Sequence, residues 1–175
     1  MANPTFNLTA NAERKAFALY VDVSESGTPD WEVQGYGTED ASIAFSPDTT
    51  SLIDILGIQH NQVNSLTRAI SITPNTIRPV ENFGMLNELL HEYTRRNQLT
   101  KLSTFKVLLV YWYAETGTTT PVAIADLYPT CTVIPQSLGG TSTVDFPYDI
   151  NLGGDVQYGT ATRSTQGDVT FTPET

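Results

Sequence analysis

The feature that most constrains this chain is a two-residue alternation of apolar and polar side chains, repeated in several segments and interrupted by one stretch of helical period. From Ala16 to Val23, AFALYVDV sets Phe17, Leu19, Val21 and Val23 on one face and Ala18, Tyr20 and Asp22 on the other, the pattern of a half-buried strand. In ASIAFSP the same rule places Ala41, Ile43 and Phe45 inward and Ser42, Ala44 and Ser46 outward. SLTRAISITP repeats it: Leu66, Ile70 and Ile72 take one side, interrupted by Arg68, and Ser65, Thr67, Ala69, Ser71 and Thr73 take the other. Both outward faces consist of small and hydroxylic residues, which is unusual for a solvent face, where long charged side chains are common.

The interruption is VENFGMLNELLHEYTRRNQ, in which Phe83, Leu86, Leu89, Leu90 and Tyr93 recur at spacings of three and four and predict one amphipathic helix. Arg95 and Arg96 fall in its last turn, where the helix dipole favours cations. TFKVLLVYWYAE and TPVAIADLYPTCTVIP predict two strongly apolar strands, the second with Pro129 at an edge or bulge. The segment from Ser142 onward reads as short strands separated by glycine turns. The expected fold is therefore α+β and mainly β, with one helix packed on a sheet.

Charge narrows the function. Nineteen acidic against nine basic residues give a formal charge of −10. DNA binding rests on Lys and Arg releasing condensed counterions, so so acidic a chain is expected to be repelled by a duplex rather than to bind it. The distribution is uneven: no Lys or Arg lies between Ala16 and Thr67 or between Val107 and Thr162. Cys131 is the lone cysteine, and His60 and His91 are too far apart in sequence to suggest a ligand pair. The amino terminus lacks an apolar run after a basic start, and VLLVYWYA is far shorter than the roughly 20 residues of a membrane helix. Export by a signal peptide and membrane spanning are not expected.

The chain carries few signatures of chemistry. GYGTED lacks the third glycine of a dinucleotide fingerprint, and HEYTR lacks the second histidine of a zinc-protease helix. DINLGGD has the acid and glycine density of a calcium loop without its alternating oxygen ligands or closing glutamate. Asp145, Asp149 and Asp155 do not stand out as a glycosidase pair. No catalytic, cofactor-binding or metal-binding residues are expected, and the chain does not read as an enzyme.

The order of its segments resembles the major tail tube proteins of long-tailed (siphovirus-type) bacteriophages. The resemblance runs over most of the chain: the strand KAFALYVDV; WEVQGYGTEDASIAFSP followed by LIDILG; the SITP strand leading to the helix; FKVLLVYWYA; and the ending FPYDINLGG with GTATRSTQGDVTFTP. The resemblance implies a β-sandwich or half-barrel with one flanking α-helix, a single domain over residues 1–175, and a structural virion protein without cofactors, assembled as hexameric rings stacked head-to-tail into a tube. That tube is the conduit for viral genome ejection, and it resides in the virion after synthesis in the host cytoplasm. Implied partners are further copies of the chain and the tape-measure, baseplate or tail-tip and tail-terminator proteins. Double-stranded DNA would pass without specific binding, and no membrane is involved.

On that reading the small faces line a bore, with Ser42, Ala44, Ser46, Ser65, Thr67, Ser71 and Thr73 on its wall and Glu39, Asp40 and Asp54 setting its potential. The alternative is that these faces are ordinary solvent-exposed surface or are covered by the helix. An amino-terminal arm of about residues 1–14 and assembly loops of about residues 24–40 and 47–64 would make the contacts between subunits and rings, through Trp31, Tyr36, Asp48, His60 and Asn61. Two other readings stay open: a tube subunit of a contractile tail or related injection or secretion device, and a carbohydrate-binding or adhesin sandwich for which Trp31, Tyr36, Trp112 and Tyr158 are the available aromatics, although Trp112 sits inside an apolar strand and reads as core.

Overall fold

The computed structural model describes residues 17–24, 27–34, 41–76, 84–116, 122–164 and 167–174, and over these the chain is mainly β with one α-helix. The strands are β1 (Phe17–Asp22), β2 (Trp31–Gln34), β3 (Ile43–Ile53), β4 (Gln59–Ile72), β5 (Phe105–Thr116), β6 (Val122–Pro135), β7 (Tyr148–Leu152), β8 (Gln157–Arg163) and β9 (Val169–Pro173); the helix α1 is Met85–Arg95. All pairings are antiparallel, in the order β2-β1-β5-β6-β7-β4-β3, with β8 on β6 and β9 on β8.

The long strand β6 belongs to two wings. Its first part, Val122–Leu127, lies between β5 and β8, and its last residues, Thr132–Pro135, pair with β7. The larger core fills the space between the wings. Leu19 and Val21 of β1 and Val107 and Leu109 of β5 meet Ile70 and Ile72 of β4, Val133 of β6 and Ile150 of β7 there, all buried. A smaller cluster on the far face of the first wing gathers Tyr20, Leu108, Val110, Trp112, Ala123, Ala125 and Ala161. Strand β5 is apolar on both faces because even-numbered residues serve one cluster and odd-numbered residues the other.

Helix α1 closes the larger core with Leu86, Leu90 and Tyr93. Its predicted contributor Phe83 lies outside the described residues. Gly84 precedes the helix at φ 76° and supplies no capping side chain. The capping acceptor comes instead from β2, where a Glu32 carboxylate oxygen receives the Leu86 N–H at 3.1 Å. Gln34 donates to that Glu32 side chain at 3.1 Å and accepts from the hydroxyl of buried Tyr148 at 2.8 Å, so one polar chain links β7, β2 and the start of α1. Burial is the first cause holding the Tyr148 hydroxyl above its ordinary pKa, with the Glu32 charge adding to it.

The segment 47–64 is not a loop. It forms most of β3 and β4, a hairpin arm continuing from the body to a turn at Asp54–Ile58. The ladder runs from Ile43↔Ile70 at the base to Ile53↔Gln59 at the tip, broken by a bulge that leaves Asn64 unpaired between Asp48↔Ser65 and Thr49↔Val63. At about 3.3 Å per residue the part beyond Phe45 extends roughly 25–30 Å. Phe45 and Leu66, expected inward, are 59% and 44% exposed, because the ladder has already left the core at these positions.

Candidate functional site

Directly paired residues share a sheet face, so the registers of β3, β4, β7 and β6 define one continuous surface. Its cross-strand rows are Ser46–Thr67, Ala44–Ala69–Asn151–Thr132 and Ser71–Asp149–Ile134, with Asp48 opposite Ser65 further out. All of these residues are exposed or half-exposed, and none is Lys or Arg. Strand alternation carries Ser42 and Thr73, both exposed and each just beyond a strand end, to the same side.

Arg68 is the one cation of the hairpin, and it sits on the opposite face, paired with Phe45 and Leu152. Its guanidinium turns into the body and donates to the Tyr128 hydroxyl at 3.2 Å. Beside it, the Tyr111 hydroxyl donates to Asp126 at 2.9 Å. Burial pushes the Asp126 carboxyl up, against the opposing pull of the Tyr111 hydrogen bond and the Arg68 charge. The arm is thus tethered at its base by a polar cluster on its core side, which removes the cation from the small face.

The rest of the arm is apolar where nothing covers it. Phe45 and Ile53 of β3 share the core-side face with Leu66 and Val63 of β4, and the tip adds Ile55 (102% exposed), Leu56 (78%) and Ile58. With Leu52 on the other face, eight of the fifteen exposed large apolar residues described belong to this one hairpin. Apolar surface gathered in this way marks an interaction site rather than the scattered exposure normal for a monomer. Strand β3 is also the end of its sheet, with no partner strand on its outer edge among the described residues.

The tip is pre-formed. Asp54 opens the turn and Gly57 takes its left-handed position at φ 79°, with Gly57 N–H to Asp54 C=O and Asp54 N–H to Ile58 C=O both at 3.0 Å. The Asp54 carboxylate accepts from the N–H groups of Leu56 (2.8 Å) and Ile58 (3.0 Å) and contacts His60 Nε2 at 3.0 Å. These contacts, the Ile58 N–H first and His60 next, hold its carboxyl below the usual carboxylate range.

Of the residues expected on a bore wall, Ala44, Ser46, Ser65, Thr67 and Ser71 come together on one face, with Ser42 and Thr73 at its margin. Asp54 does not: it organises the arm's tip. Glu39, Asp40 and Tyr36 lie outside the described residues, as does the amino-terminal arm of residues 1–14. Among the expected assembly residues, Asp48, His60 and Asn61 are exposed on the arm. Trp31 is instead half-buried in β2 and packs against the smaller core, because the 24–40 segment contains a strand paired with β1. Asp149 is the acid that sequence reasoning left off the face. Its signal is present in YDINL, where Tyr148 and Ile150 point inward and Asp149 and Asn151 outward.

Of the aromatics a glycan-binding module would present, Trp112 is buried, with Arg163 4.7 Å over its ring, and Trp31 is half-covered, while Tyr158 is exposed. Neither a protein-family model nor a curated protein matches the chain.

Proposed function

We propose that the protein is a structural subunit that polymerises as stacked hexameric rings into the tail tube of a long-tailed bacteriophage, the conduit for DNA ejection. The observation carrying this reading is the union, in one sheet, of a cation-free small-residue face with a long apolar arm. The arm and the β3 edge, which has no partner strand among the described residues, are surfaces that a second copy would cover at every subunit. A contact between unlike surfaces does not close on itself, so it builds a filament whose length is set by other proteins, here the tape-measure and terminator. The small face then lines the bore. Lys or Arg there would create phosphate contacts repeated in every subunit of every ring and would hold the passing duplex. Asp48 and Asp149 add repulsion, and Ser, Thr and Ala leave the wall smooth.

Lysines placed on that face test the lumen assignment. Tubes carrying Ser71→Lys and Thr67→Lys are expected to assemble and to retain short duplex DNA in a salt-dependent manner, whereas wild-type tubes do not. Lysine-bearing tubes that exclude DNA as wild type does would show that this face is not the wall.

A further inference from the structure

Between Ala41 and Thr67 the arm carries three titratable side chains, Asp48, Asp54 and His60, and the last two meet at its tip. Asp54 opens the turn, and His60 stands opposite Leu52 in the last row but one of the ladder. The two carboxylate oxygens have separate tasks. Oδ1 accepts the N–H groups of Leu56 and Ile58, which closes the turn, and Oδ2 meets the imidazole Nε2 at 3.0 Å. A neutral imidazole can donate a hydrogen bond there, whereas a protonated one adds the attraction of an opposite charge.

Among the described residues no other element packs on the tip, since Ile53, Ile55, Leu56 and Ile58 are all exposed. The nearby polar groups are neutral: Gln59 donates to Ser51 Oγ at 2.8 Å and to Asn61 Oδ1 at 3.1 Å. Asp48 stands four residues nearer the body than Leu52, about 13 Å along the strand. That exceeds the Debye length of about 8 Å at physiological salt, so the charge of His60 acts chiefly on Asp54.

We propose that Asp54 and His60 form a proton-controlled latch, which fixes the turn of the arm in mildly acidic solution and loosens it as the imidazole loses its proton. Imidazole side chains change charge between about pH 5 and 8. Asp54 sets the lower limit. Its carboxyl is held below the usual range, so its contribution is present above about pH 4 and fades as the pH falls through its folded value. His60 sets the upper limit, because the attraction of a cation for the carboxylate is present while the ring is protonated and is lost as the pH rises. Between these limits the turn holds Ile55, Leu56 and Ile58 in one arrangement; outside them it frays. The latch is a property of the single chain and does not depend on the tube reading.

Millisecond hydrogen–deuterium exchange of the full chain tests the latch, read on peptides covering residues 53–60 and divided by the unstructured-chain rate at each pH. The concentration is one at which sedimentation gives the same species throughout. Wild-type protection is expected to be about two- to fivefold higher at pH 5.5 than at pH 8, the range of an exposed ion pair, and to fall again at pH 3. His60→Gln, which keeps a donor without a charge, is expected to show the pH 8 level at pH 5.5 as well. His60→Lys, which stays cationic to about pH 10, is expected to hold the pH 5.5 level at pH 8. Equal wild-type protection at pH 5.5 and pH 8 would overturn the latch, as would an undiminished pH 5.5 advantage in His60→Gln. A lysine variant that loses protection at pH 8 as wild type does would show that charge is not what closes the turn. A pH difference of the same size in a peptide from β5 would mean that the whole fold loosens, and would overturn the latch as well.

Discussion

Asp22 and Asp126 are carboxylates that the fold treats in opposite ways. Burial alone would raise Asp22, but the Ser24 hydroxyl, the N–H groups of Asp30 and Ser24, and Lys106 outweigh it, and the net shift is downward. A carboxyl lowered by folding contributes stability above its unfolded value of about 4, and that contribution fades as pH falls through the folded value. Asp22→Asn is expected to cost about 1–3 kcal/mol at pH 7, since it removes a charged acceptor with several donors. Urea denaturation at pH 7 and pH 3 should show the gap narrowing in acid; a gap independent of pH would mean that the charge is irrelevant. Asp126 runs the other way. Its folded value is raised, so ionising it above its unfolded value costs stability. Asp126→Asn, which keeps an acceptor for Tyr111, is expected to be neutral or stabilising at pH 7, with the benefit absent at pH 3. A loss of stability at pH 7 would show that the Arg68 attraction dominates burial.

At the scale of elements, α1 depends on an acceptor from another strand. Glu32→Ala should destabilise the fold by about 1 kcal/mol, as loss of an N-cap does, with a lowered urea midpoint and an unchanged slope as the readout. The arm behaves differently, because its side chains touch no core. Replacing Ile53, Ile55 and Leu56 by Ser is expected to leave the melting temperature within a few degrees of wild type, as exposed sites usually contribute under 0.5 kcal/mol each, while abolishing assembly in sedimentation. A large drop in melting temperature would mean that the arm packs on its own subunit.

The same contrast explains what was legible in the sequence. Strands β1 and β5, the base of β4 and the helix declared themselves, because burial on one side imposes the period that a reader sees. The arm hid in PDTTSLIDILGIQHNQV, since a ladder exposed on both faces needs no hydropathy alternation and is formed by backbone pairing. Its one local sign was DILG, Asp first and Gly fourth, flanked by β-branched Thr49, Thr50, Ile53, Ile58 and Val63. Asp149 was masked by its glycine-rich neighbours, and Arg68 interrupted an inward face for a reason only the packing supplies, its bond to Tyr128.

For the whole molecule, the distribution of charge and apolar surface is directional. Four of the described cations collect at the far end of α1, the sheet face has none, and the exposed apolar residues concentrate on one projecting hairpin. A repeating polymer would place each such surface against its complement. Negative-stain electron microscopy of the purified, concentrated protein tests this most directly. The account predicts hexameric rings or hollow tubes whose number grows with concentration; a monodisperse monomer at every concentration, with a glycan bound in place of a neighbour, would contradict it.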